Sequence, residues 1–209
     1  MNAFQTPAAI TVELDLAVAN VTVIASDRTD TTVDIKPTDA DKKADLHAVE
    51  QTQVSFADNT LSVQTPKGWR TSFKGKSSIE VTVQVPTGSQ LKGAVAAGAL
   101  LGSGPLGDSN VELSLGDITF EQPQGSVTAK VAQGNITIGD AVRGVLQLET
   151  SVGAIEVGIN PASAAVLKTN TPNGAVHNQL GPVAQAGDTV EVNAKNSSGN
   201  ITIHNTAAV

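Results

Sequence analysis

The chain has 209 residues, with 13 Lys plus Arg against 20 Asp plus Glu, a net charge of -7, no Cys and no Tyr. The negative balance argues against a general nucleic-acid binder, and zero Cys excludes disulfide scaffolds, thiol catalysis and Cys-ligated zinc or iron–sulfur sites. Val, Ile and Thr supply 58 residues and Gly another 19, a balance that favours short β-strands and tight turns.

Residues 1–9 read as an N-terminal tail. Met1 to Gln5 carry no basic residue and no apolar run of secretory type follows. The chain is therefore expected to be soluble and to stay where it is made, cytoplasmic as encoded; a place at the cell surface would require that an export signal had been trimmed away. The longest apolar stretch, Gly93 to Gly102, is ten residues of mostly Ala and Gly. That is about half of a membrane span, so none is expected.

Residues 10–16, 20–25, 31–36, 52–56, 60–65, 79–85 and 90–95 alternate or cluster as strands do. Asp39 to Gln51, with Ala44, Leu46, Ala48 and Val49, reads as one short polar helix. Residues 10–95 thus form an antiparallel β unit with one helix, expected to cap whatever follows and cover its first open edge. Within it, Lys67 to Lys76 holds four of the 13 basic residues together with the single Trp. Cations interleaved with aromatic rings can stack on sugars and hold anionic groups. Lys67, Trp69, Arg70, Phe73, Lys74 and Lys76 are therefore the candidate ligand contacts. The competing reading is a hairpin loop whose Trp69 packs on the core.

Residues 96–205 carry a repeat. It reads Gly116-Asp117-Ile118-Thr119-Phe120, Gly134-Asn135-Ile136-Thr137-Ile138, Gly153-Ala154-Ile155-Glu156-Val157 and Gly199-Asn200-Ile201-Thr202-Ile203, with weaker copies at Gly98 and Gly174. Gly-to-Gly spacings of 18, 18, 19, 21 and 25 are those of a solenoid, whose units bury their apolar faces only by stacking. Seven residues before the Gly stand Val127, Leu146, Leu167 and Val192; two after it stand Leu100, Ile118, Ile136, Ile155, Val176 and Ile201. The alternation makes each unit two short strands joined at a Gly corner. The fold class is all-β: a β-solenoid of about six two-strand rungs preceded by the antiparallel unit.

These segments, from the polar helix through Val54-Ser55-Phe56, Pro66-Lys67-Gly68-Trp69-Arg70 and Pro86-Thr87-Gly88-Ser89 to the Gly-Asn/Asp-Ile repeats, resemble a bacterial family of proposed adhesins with β-strand repeats (DUF4097-like). The resemblance spans roughly residues 10–204. It implies a β-solenoid and an adhesive role, and it supplies no catalytic residues. Asn178 departs from the pattern, standing where the repeat has an apolar residue.

Outward rows carry what chemistry there is. Stacked in chain order, Glu112, Lys130 and Glu149 form a ladder of alternating charge, which unlike neighbours stabilise modestly. Stacking in chain order would also make Glu156 and His177 neighbours on adjacent rungs, the one acid/base pair in reach. An exposed row offers no pocket for it. The expected function is a non-enzymatic scaffold or binding module for an unknown protein or glycan, without cofactor, metal, nucleic acid or membrane span. A homo-oligomer joined through the solenoid edges is a further expectation. The alternatives are a carbohydrate-active β-helix enzyme and a structural protein that polymerises end to end.

Overall fold

The computed structural model describes residues 2–66, 77–182 and 187–207. The chain winds between two sheets that face each other across one core. In the first sheet β1 (Asn2–Gln5) pairs antiparallel with β3 (Asp30–Pro37), and β3 with β6 (Ile79–Pro86). From β6 onward the pairing is parallel, through the second half of β2 (Thr11–Ser26), β8 (Leu100–Ser103), β10 (Ile118–Phe120) and β12 (Ile136–Ala141). It continues through β14 (Ile155–Ile159) and β18 (Ile201–Asn205) and ends at β16 (Val176–Gln179). The second sheet starts with β4 (Gln53–Ala57) antiparallel to β5 (Thr60–Gln64). It then runs parallel through the first half of β2, β7 (Gln90–Ala97), β9 (Ser109–Leu115), β11 (Val127–Gln133), β13 (Gly144–Val152), β17 (Thr189–Ser198) and β15 (Ala164–Asn170).

The expected solenoid is present, and antiparallel pairing is confined to its N-terminal margin. Two findings were not expected. Asn2–Gln5, read as tail, forms β1. The parallel ladder also begins earlier than residue 96, because β2, β5, β6 and β7 already belong to it. Strand β2 crosses from one sheet to the other without a Gly corner; Leu16 to Val23 echoes the repeat there without its Gly.

The layers do not stack in chain order. Strands β17 and β18, last in sequence, lie between the layer of β13 and β14 and the layer of β15 and β16. The physical reason is burial. Val190, Val192, Ala194, Ile201 and Ile203 are all fully buried, whereas every residue of β16 is exposed and Asn178 stands opposite Ile203. The strongly apolar unit takes the interior position, and the weak one is left at the end. At about 25 cal/mol per Å² of apolar surface, this exchange favours the observed order. The N-terminal end mirrors it: β2 sits inside, with Val12, Leu14, Leu16, Val21 and Val23 buried, while β5 and β6 lie outside it.

Alternation decides the core. Ile118, Ile136, Ile155 and Ile201 stack directly, one per layer, and all four are fully buried. Phe120 is also fully buried. Its ring fits because Gly102 in the adjacent layer has no Cβ, which would lie 2.6 Å from Phe120 Cδ1. At the N-terminal end Phe4 of β1 stacks on Phe56 of β4, ring centroids 5.2 Å apart, and so ties the two sheets together.

The helix α1 (Lys43–Gln51) starts later than expected, because Asp39 to Lys42 form a turn closed by the Lys42 N–H on the Asp39 carbonyl. Its one buried residue is Asp45. The carboxylate accepts the backbone N–H groups of Ser78 at 2.9 Å and Asp39 at 3.2 Å and pairs with Lys42 Nζ at 3.1 Å. Burial pushes the Asp45 pKa up, but these bonds, led by Ser78, outweigh it and hold the carboxyl below its usual range. Because the folded pKa is depressed, this stabilisation is complete above the unfolded value of about 4 and is lost as pH falls through the folded value. Asp45→Asn should therefore cost about 2 kcal/mol at pH 7, the scale of hydrogen bonds to a charged group. Thermal melts of the two proteins should converge on going to pH 2–3; a gap that stays constant would show that the charge of Asp45 contributes nothing.

Candidate functional site

From Gly98 onward each layer turns at a Gly, and the turn fixes where its outward side chains point. Gly116 and Gly134 have φ of 123° and 145°. A Cβ on Gly134 would lie 1.9 Å from the Gly116 carbonyl oxygen, and one on Gly116 would lie 1.7 Å from that of Gly98. The corners therefore stack backbone on backbone. The residue after the Gly bonds the next layer: Asp117 Oδ1 accepts the Asn135 N–H at 2.7 Å, and Asn135 Oδ1 accepts that of Ala154 at 2.9 Å. Asn20 and Asn200 repeat the arrangement toward Ala99 and Ala175. Asp117, Asn135 and Asn200, each beside its Gly, are thus inter-layer acceptors as well as turn residues.

On the second sheet the outward row runs Asp15, Ala94, Glu112, Lys130, Glu149, Lys195, Asn170. Lys195 stands ahead of Asn170, the reverse of chain order, so the alternation of charge continues through four layers. Lys130 Nζ lies 3.9 Å from Glu112 Oε1. Among the described residues, Glu149 and Lys195 have no hydrogen-bond or ion-pair partner. Beside this row runs a strip of small residues, Ala17, Ala96, Ser114, Ala132, Ser151 and Ser197, at the positions two residues further along each strand. Because these side chains are short, the face is hollowed into a shallow trough lined by Asp15, Ala94, Glu112, Lys130, Glu149 and Ser151. Leu115 and Val152 stand on its far rim, 52% and 51% exposed. At another margin Lys168 bonds Glu191 at 2.8 Å and, with Asn193, holds that carboxyl below its usual range.

On the first sheet the outward row is Thr22, Leu101, Thr119, Thr137, Glu156, Thr202, His177. Glu156 and His177 are not neighbours, because Thr202 of the interposed layer separates them. Glu156 instead meets His204, its Oε1 3.3 Å from His204 Nε2. His204 pairs with Gly158 across the sheet and was not singled out from the sequence. Only the order of layers brings it beside Glu156. The pair lies on an open sheet face, and His177, His204 and the acidic residues form no metal-binding cluster among the described residues.

The six candidate contacts, Lys67, Trp69, Arg70, Phe73, Lys74 and Lys76, lie outside the described residues. Their flanks are described. The Thr65 N–H bonds the Asp15 carbonyl at 2.8 Å, and the Ser78 N–H bonds Asp45. Of the two flanks, Thr65 thus lies beside Asp15 and Ser78 beside the helix α1.

Among the described residues no helix is long and apolar enough to cross a membrane. A family model described as Toastrack DUF4097 matches residues 10–209. Among solved structures, a proposed cell adhesion protein of Clostridium sporogenes is 15% identical, with 98% of each chain covered and a TM-score of 0.55. A proposed adhesin of Bacteroides fragilis is also 15% identical over 97% of this chain and 95% of its own, with a TM-score of 0.32. One from Parabacteroides merdae is 11% identical over 95% and 94%, with a TM-score of 0.34. At this identity the Clostridium structure shows a common fold and no more. No curated protein matches the chain.

Proposed function

The chain belongs to the Toastrack DUF4097 family, and on that premise we propose that it is a non-enzymatic β-solenoid scaffold that binds a protein or glycan through its surfaces, as an adhesin does. The observation that supports this reading is the arrangement of polar side chains in straight rows, one per layer, on two open sheet faces. Such rows suit contact with an extended macromolecular surface. In the charged row Glu112 and Glu149 are separated by Lys130, whereas a glycosidase needs two carboxylates flanking one bond. In this reading the antiparallel strands β1, β3 and β4 cap the stack, and the parallel layers from β2 onward present its repeated rows.

The foreign partner is contacted by the Lys67–Lys76 segment. It concentrates cations and the only Trp, the residue type most enriched at binding hot spots. The solenoid beyond it repels anions, since residues 96–209 carry four basic and nine acidic residues. With no Tyr in the chain, indole emission reports Trp69 alone. Glycan and protein arrays supply the probe, and the strongest hit is titrated against the purified protein. Binding should shift or quench Trp69 emission and weaken with salt. Trp69→Ala should abolish it while leaving the melting temperature nearly unchanged. A loss of about 3 kcal/mol or more in Trp69→Ala would instead make Trp69 a core residue and end this assignment.

A further inference from the structure

We infer that the trough face of the second sheet is a docking surface for a second copy of this chain, laid face to face with its solenoid axis reversed. This deepens the reading of the chain as a binding scaffold, and it is tested without any foreign partner. The argument starts from the charged row. In spatial order it reads Glu112, Lys130, Glu149, Lys195. Read backwards, the same row is Lys, Glu, Lys, Glu. A two-fold axis parallel to the strands, passing between β11 and β13, sets each row against its own reverse. Glu112 then faces Lys195 of the second copy and Lys130 faces its Glu149, so each of the four charges meets its opposite. A two-fold interface requires this self-complementarity.

The neighbouring rows agree over the four inner layers, and in the two outer ones Lys92 meets Lys168 of the second copy, whose charge Glu191 already balances at 2.8 Å. The same operation sets Ser114 against Ser197 and Ala132 against Ser151, so the strip of small residues lets the two sheets approach. On the other side of the charges, Asn110 meets Asn193 and Thr128 meets Gln147, pairs that can exchange hydrogen bonds. On the rim, Leu115 and Val152 are half exposed and would be covered by Ser198 and Gln133 of the second copy. Glu149 and Lys195, without partners among the described residues, would gain one each.

The size of the face sets the strength. Six layers about 4.8 Å apart and three outward rows about 6.6 Å apart give roughly 600 Å² per copy. The total, about 1,200 Å², lies at the low end of specific interfaces, which fits a reversible dimer in the micromolar range. Reversing the axis also sends the two N-terminal caps to opposite ends of the pair. A bivalent assembly gains avidity when both ends are engaged.

Sedimentation velocity of the whole chain over a range of concentrations tests this. The unmodified protein should dimerise, and less so in 0.5 M salt. Lys130→Glu sets two Glu–Glu contacts across the axis, and Glu149→Lys sets two Lys–Lys contacts. Each variant alone should lose about 100-fold in dimer affinity. Mixed in equal amounts, the two should pair with each other, since each then offers the charges the other lacks. The double variant Lys130→Glu, Glu149→Lys should dimerise again. Circular dichroism and melting of each variant check that it is folded, as expected for exposed positions. A monomer at every concentration, an undiminished dimer in either single variant, a mixture that stays monomeric, or open-ended growth through β15 and β16 would each overturn the inference. None of these outcomes touches array binding through Trp69, so this proposal and the scaffold reading fail separately.

Discussion

Ile136→Lys should unfold the repeat stack, whereas Thr137→Lys, one residue further on, should leave it nearly as stable as the parent. Ile136 is fully buried and stands in register between Ile118 and Ile155. Lysine there would bring a cation into an apolar column with no carboxylate in reach, at a cost of about 4 kcal/mol or more. Thr137 lies on the outward row between Thr119 and Glu156. A lysine at that position would stay in water beside a carboxylate, and its effect should be within about 0.5 kcal/mol. Urea unfolding followed by circular dichroism measures both. Equal midpoints for the two variants would contradict the register on which every outward row depends.

Gly134→Ala should be nearly as damaging, although it adds one methyl group. The backbone at Gly134 has φ of 145°, a region that L side chains rarely adopt. The new Cβ would also lie 1.9 Å from the Gly116 carbonyl oxygen, a backbone atom that is fixed by the layer below. Strain and overlap together should cost about 4 kcal/mol. Gly187 provides the control, since a Cβ there would meet nothing closer than the Ala162 carbonyl oxygen at 3.8 Å. Gly187→Ala should change stability by less than about 0.5 kcal/mol. If both variants melt alike, the corner Gly residues are there for turn propensity alone and the stacked-backbone account fails.

These two predictions draw on different depths of information. The first was legible from alternation: Ile136 and Thr137 are told apart by period two, which needs only neighbouring residues. The second was half legible. A recurrent Gly at a corner suggests a positive φ, but the contact with the carbonyl of the next layer exists only once layers are stacked. The Asn and Asp acceptors show the same division. Their preference for turns is local, while the N–H groups they receive come from 18 to 79 residues further along or back.

For residues 96–205 the sequence by itself determined the two-strand unit, the face each strand buries, the corner positions and the parallel stacking, because all four follow from short-range period and turn chemistry; the parallel pairing of β2, β5, β6 and β7, which lack the repeat, was decided by the tertiary structure. The order of the layers came from the tertiary structure. Nothing local tells the unit ending in Ile203 to insert ahead of the unit containing Asn178. That choice is a competition for burial, won by the five fully buried side chains of β17 and β18 against a strand β16 that is exposed throughout. The candidate sites inherit the result. Insertion separates Glu156 from His177 and gives it His204. It also moves Lys195 ahead of Asn170, which completes a row of four alternating charges. Residues that are far apart in the chain became neighbours because the most apolar surfaces had to be covered first.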